Sequence, residues 1–300
     1  MSAAGSIPDC LGPRPLPPAP RWTPPRGCWD TQCHVLGPQS RHPYSPQRHY
    51  TPPPALLAGY LALADRLGLD HAMVVHANTQ GPGNDVYLEA VAQAPQRLVA
   101  VVRLDAACTK AQARALHEEG VRGVRFAFNP QHGGRLDTSV VDHVLRCIDG
   151  LGWFVQLHFA GADLPALQPW IAGLPVPVLI DHLGRVDIDA GLDAAPQRAL
   201  LALAERPQVW VKLSGVDRVC SDAPGYARAA PLVQRLLAVA ADRMTWGSDW
   251  PHTGYFDADA MPDDGALFEA LCSLVPVEGQ RIGLLRDNPR RLLGLPGWGG

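Results

Sequence analysis

Apolar residues gather into eight short continuous runs: 28–36, 71–76, 98–104, 121–128, 153–159, 176–180, 209–213 and 244–246. Between them, residues 56–69, 85–94, 111–119, 140–151, 164–171, 197–205 and 229–241 space their apolar side chains along one helical face. Unbroken hydrophobic runs suit strands buried on both faces, as in a parallel sheet. Eight strand–helix repeats predict an α/β protein built as a single (β/α)8 TIM barrel. Two further stretches, 262–274 and 281–293, predict C-terminal closing helices. A competing open doubly wound sheet places a glycine-rich phosphate turn after an early strand. The first run here ends instead in Gln32-Cys33-His34-Val35. Residues 1–27 hold eight prolines and no periodic pattern, so they read as an extended arm. Residues 28–300 are then the barrel, with no internal repeat and no second domain.

Polar residues interrupt these runs mainly at their C-terminal ends, the face where barrels of this kind carry catalysis. Gln32 and His34 lie two apart on the first run and share a face. Asn78 and Thr79 end the second, and Arg125 sits inside the fourth. Gln156 and His158 repeat the two-residue spacing on the fifth. His182 follows the sixth, Lys212 lies on the seventh with Arg218 just beyond, and Asp249 follows the eighth. Each residue alone has a structural reading. A strand-end histidine serves as a hydrogen-bonded support, Arg125 as an ion-pair partner, Asp249 as a turn or cap. Lys212 alternates with Trp210 and can face outward. Together, seven strands would each need a separate reason for a polar residue, whereas one active site explains them all. A carboxylate at the end of a buried strand is costly without partners, so Asp249 is read as the general base.

Composition narrows the partners. The net charge is −3 with no Lys/Arg-rich block, which argues against nucleic acid. No apolar leader and no run of about 18 apolar residues is present, so neither a signal peptide nor a membrane span is expected. The seven cysteines are scattered and never form Cys-x-x-Cys. That pattern fits reduced thiols in a cytoplasmic protein rather than a disulfide framework or a structural zinc site. It does not specify an oligomeric state.

From Pro24 onward the chain resembles the amidohydrolase superfamily, and within it the 2-pyrone-4,6-dicarboxylate lactonase branch. The resemblance rests on Asp30-Thr-Gln-Cys-His-Val-Leu-Gly-Pro38, Pro43-Tyr-Ser-Pro46, Tyr50-Thr-Pro52, Gly123-Val-Arg-Phe126, Ile180-Asp-His-Leu-Gly-Arg185, Trp246-Gly-Ser-Asp-Trp-Pro-His252 and Asn288-Pro-Arg-Arg-Leu292. It implies hydrolysis of a small carboxylated lactone, with no cofactor and no bound metal. It assigns Asp249 as the base that activates water and His34 and His182 as the pair that polarises the carbonyl. Arg125 and Arg218 would bind carboxylates, with Tyr50, Arg135 and His252 nearby. The chain departs from the branch at three places. Gln32 replaces the first histidine of the strand-one pair, which disfavours zinc because Gln is a poor ligand beside His. Asn78 and Thr79 replace a hydroxyl residue, and His158 stands where relatives carry tyrosine. Each change touches the substrate pocket. The alternatives are a sugar-acid lactone isomerase or lactonase, a zinc-dependent hydrolase or decarboxylase on the same barrel, and a non-catalytic binding barrel.

Overall fold

The computed structural model describes residues 7–128 and 136–295. Strands β1 (Trp29–Cys33), β2 (His71–Val75), β3 (Leu98–Val102), β4 (Val121–Ala127), β5 (Phe154–His158), β6 (Val178–Ile180), β7 (Val209–Leu213) and β8 (Met244–Trp246) pair in chain order. All seven pairings are parallel. Just past β8, Trp250 bridges back to Cys33 and closes the barrel. Helices α1 (Leu57–Leu67), α2 (Asp85–Gln93), α3 (Lys110–Glu118), α4 (Thr138–Ile148), α5 (Leu164–Ala172), α6 (Ala195–Ala204), α7 (Ala230–Ala240) and α8 (Asp264–Leu274) pack around it. The expected TIM barrel is what the chain forms. Among the described residues no helix is long and apolar enough to cross a membrane.

The stretch 281–293, expected as one helix, is divided. It comprises the end of α9 (Glu278–Ile282), a π-helical turn at Gly283–Asp287, and α10 (Asn288–Leu292). Pro289 brings no N–H to the helical ladder, and the widened turn before it absorbs the missing bond.

Two apolar layers build the core. One lies between the outer faces of the strands and the helices. The other fills the barrel interior with Trp29, Met73, Val75, Val99, Val101, Phe154, Leu179 and Trp210. Gly123 is needed there, because a Cβ at that position would lie 2.8 Å from the Phe154 ring. Above this apolar floor the interior turns polar. A register shift between Asp30 and Cys33 makes the transition on β1. Strict alternation from Trp29 would point residues 31 and 33 inward. One extra residue reverses the faces and turns Gln32 and His34 into the barrel.

The arm is part of the same face. Thr51 N–H donates to Pro8 O at 2.8 Å, Cys10 N–H to Thr51 O at 3.0 Å, and Leu11 N–H to Tyr255 O at 2.8 Å. The Arg14 guanidinium caps the carbonyls of Ala258 and Met261. The arm thus ties the loop after β1 to the loop after β8.

Asn288 anchors the closing segment. Its buried amide donates to Ala241 O at 2.8 Å and Met244 O at 2.7 Å. Asn288→Ala leaves both carbonyls short of a donor, and unfolding in urea is expected to show a loss of about 2–4 kcal/mol. A loss below about 0.5 kcal/mol would show that the anchor is dispensable.

Candidate active site

Five side chains form a connected polar layer across the barrel. Asp181, just past β6, is fully buried between two cations. Arg125 Nη2 lies 3.0 Å from its Oδ2 and Lys212 Nζ lies 3.2 Å from its Oδ1. Burial alone would raise the Asp181 pKa, but Lys212 and Arg125 outweigh it and hold the carboxyl at about 2. Gln156 Nε2 donates to Asp181 Oδ2 and to Gln32 Oε1, both at 2.9 Å. Lys212 Nζ also donates to Gln32 Oε1, at 2.6 Å. Lys212, which the alternation left free to face outward, therefore points inward one layer above Trp210. Arg125 completes its contacts by donating to His76 O at 2.9 Å.

Asp249 sits above this layer. Its backbone is left-handed at φ +62, and its N–H donates to Gln32 O at 2.8 Å. The carboxylate faces three partners. Oδ1 lies 3.4 Å from His34 Nε2 and 3.8 Å from His182 Nε2, and Oδ2 lies 3.5 Å from Arg218 Nη2. Burial pushes the Asp249 pKa up, yet these neighbours hold it well below the usual carboxylate range. Burial keeps His182 down at about 4. With His182 neutral, the guanidinium of Arg218 is the cation beside Asp249 at neutral pH. His182 Nδ1 meets Ser214 Oγ at 2.9 Å. Ser214 donating there leaves His182 neutral with an Nε2–H that faces the site. His34 Nδ1 meets Val75 O at 2.7 Å. A carbonyl only accepts, so the Nδ1 proton of His34 is fixed.

Three neighbours brace Arg218. Asp217 Oδ2 lies 3.2 Å from Nε, Thr253 O accepts from Nη2 at 3.0 Å, and the Tyr255 ring lies 4.3 Å beneath the guanidinium. Tyr255 OH donates to Asp217 Oδ2 at 2.6 Å. Tyr50 OH meets Thr253 Oγ1 at 2.9 Å, which places Tyr50 beside this group. Asp181, Asp217, Thr253 and Tyr255 escaped the sequence reading. Asp181 immediately precedes His182, and that position was the available signal.

The remaining expected residues divide. His158 stands edge-on to His182, with ring centroids 5.5 Å apart. Asn78, His76 and Arg125 line a cleft of about 440 Å³ beside the site, with Arg103 at its rim. Thr79 is buried and its backbone carbonyl accepts from Ser45 N–H at 2.9 Å. Arg135 lies outside the described residues. His252 is corrected: it is fully buried, and its Nε2 meets Asp264 Oδ1 at 2.9 Å on the first turn of α8. Burial disfavours its charged form, but Asp264 carries its pKa above the ordinary value. It fastens the loop after β8 to α8.

The chain belongs to the amidohydrolase family, whose model matches residues 29–295. It is 43% identical over 288 residues to a 4-sulfomuconolactone hydrolase of Hydrogenophaga intermedia, covering 96% of this chain and 95% of that one. It is 34% identical over 288 residues to a 2-pyrone-4,6-dicarboxylate hydrolase of Comamonas testosteroni, with 92% and 93% covered. Identity to a D-galactarolactone isomerase of Agrobacterium fabrum is 31% over 273 residues, with 90% and 92% covered.

Burial holds His76 down to about 3 and His182 to about 4. An unfolded histidine takes up its proton near 6.5. Between those values the unfolded chain binds protons that the folded chain refuses, so stability falls as pH drops from about 6.5 toward 4. Each ring contributes about 1.4 kcal/mol per pH unit in that window. Urea titrations from roughly pH 7 to 4.5 should show this loss, with His76→Gln shallower by about one proton. Asp30, lifted to about 6, and His252, raised by Asp264, take up protons on folding and offset part of the total, so identical pH slopes for wild type and His76→Gln would contradict a neutral buried ring at His76.

Proposed function

We propose that the chain hydrolyses a small lactone bearing an anionic group, a carboxylate first of all, with water activated by Asp249 and without a metal. The observation that carries this reading is the ionised Asp249 carboxylate, held between His34, His182 and Arg218 above a layer with more cations than carboxylates. The relatives named as lactone hydrolases support it.

The chemistry follows from the placement. Asp249 Oδ1 accepts a proton from water as the water oxygen attacks the lactone carbonyl. Charge gathers on the carbonyl oxygen, and the neutral His182 ring offers its Nε2–H there. A donor aimed at a forming oxyanion contributes about 3 kcal/mol. The intermediate collapses, the ring C–O bond breaks, and Asp249 returns its proton to the departing oxygen. An aspartate held so far down is a weak base at rest. An anionic substrate beside Arg218 offsets the guanidinium, raises the Asp249 pKa and strengthens it as a base. Arg218 and Arg125 suit carboxylates because a guanidinium donates through two parallel N–H groups.

The donor set does not suit a metal. Gln32 Oε1, the one ligating atom of that side chain, already accepts from Lys212 and Gln156. A cation at that point would face the Lys212 ammonium. Among the described residues, no group of three His, Cys, Asp or Glu side chains is arranged to hold a metal ion. The seven cysteines are free thiols, which suits the reducing cytoplasm.

Asp249→Asn is expected to lower kcat on carboxylated lactones by about 10³-fold with KM little changed, since a general base supplies 10²–10⁴. Arg218→Met is expected to raise KM for an anionic lactone by roughly 10- to 100-fold and to spare a neutral one. Steady-state kinetics on a panel of lactones with no, one and two carboxylates read both effects. An Asp249→Asn enzyme as fast as wild type would remove the base from this scheme.

A further inference from the structure

We propose that Gln32 is the strand-one donor to the lactone carbonyl oxygen, and that Lys212 is the positioning residue that directs its amide into the site. The proposal rests on the hydrolytic reading above and names a group that performs it.

Donor and acceptor rules fix the direction of a chain of side chains. Asp181 is ionised and only accepts, so Gln156 presents its NH2 to Asp181 Oδ2 at 2.9 Å. The same NH2 meets Gln32 at 2.9 Å, so the Gln32 atom there is the oxygen. Lys212, paired with Asp181, only donates and meets that same oxygen at 2.6 Å. Two independent donors therefore assign Gln32 Oε1 to the barrel interior. The Gln32 NH2 is left pointing up, 3.4 Å from His34 Nε2.

His34 does not supply that donor from where it stands. Its Nδ1 proton is committed to Val75 O. As the neutral ring, its Nε2 carries no proton. As the imidazolium, its Nε2–H faces Asp249 Oδ1 at 3.4 Å. The neutral His34 Nε2 takes at most one of the two Gln32 amide N–H groups, so in either state one Gln32 N–H and the His182 Nε2–H remain for a ligand. A carbonyl oxygen between them meets two neutral donors, one from β1 and one from the loop after β6. His34 keeps the task of orienting Asp249. Gln32 in place of a histidine is then a working substitution, with Lys212 behind it as the reason it works.

A double-mutant cycle tests the pair. Gln32→Leu removes the donor at similar volume, and kcat is expected to fall about 100-fold with KM within a fewfold of wild type. Lys212→Met frees the amide to turn over, and kcat is expected to fall roughly tenfold. In the Gln32→Leu background, Lys212→Met is expected to cost nothing further, because its effect runs through Gln32. If Lys212→Met fails to fold, Gln156→Leu removes the other donor to Oε1 and takes its place. A second readout needs no substrate. In the ligand-free protein, the Gln32 side-chain amide protons should show nuclear Overhauser contacts to the His34 ring, and these should weaken in Lys212→Met. The proposal is overturned if Gln32→Leu keeps kcat within threefold of wild type. It is also overturned if Lys212→Met costs the same factor with and without Gln32, or if the amide protons face Lys212. A wild-type enzyme that opens no lactone refutes the proposed function, and the amide contacts then decide the orientation alone.

Discussion

The seam between β1 and the loop after β8 is the constraint on which the rest depends. Gly247 lies so close to β1 that a Cβ would sit 2.4 Å from Gln32 Cβ. Ser248 then binds Asp30 twice, through its N–H at 3.0 Å and its hydroxyl at 2.6 Å. Asp249 follows in a left-handed conformation that costs a non-glycine residue about 1–2 kcal/mol. Its N–H meets Gln32 O, and His34 N–H meets Trp250 O, both at 2.8 Å. Closing the barrel and placing the Asp249 carboxylate are therefore one act. Asp30, which holds the seam, accepts from Ser248, Gln32 and Tyr60, yet burial still lifts its pKa to about 6. The charge is kept in a dry place because the bonds it makes align both strands.

Electrostatics beneath the seam set the charges that surround Asp249. Asp181 serves two buried cations at once. Removing one partner of such a group leaves charge stranded at a cost of about 3–5 kcal/mol, so the three stand or fall together. One carboxylate does not neutralise two cations, and the Asp249 carboxylate above the layer offsets the remaining charge. Arg218, braced by Asp217, Thr253 and Tyr255, stands between Asp217 and Asp249.

Much of this was legible in the sequence, and the reasons are physical. Strands buried on both faces must be apolar throughout, so eight runs stood out. Polar residues at their ends are expensive there, so Gln32, His34, Arg125, His158, His182 and Asp249 stood out too. What stayed hidden was partnership. Alternation gives a residue's face and not its neighbour. Lys212 was read as equally able to face outward, yet it ties Gln32 to Asp181. Asp181 was assigned no role beside the more conspicuous His182. His252 shared a motif with Asp249, but the turn between them sends it under α8, to Asp264. The bulge on β1 also left no mark in the residue pattern, and it decides which side chains enter the barrel.

Hydrolysis with oxygen-18 water, on enzyme treated with a strong chelator, tests the central claim most directly. A carboxylated lactone should open at an undiminished rate, with one labelled oxygen entering the new carboxyl group per turnover. An unlabelled isomeric product, or activity that vanishes with the chelator and returns with zinc, would contradict an aspartate-driven, metal-free lactonase.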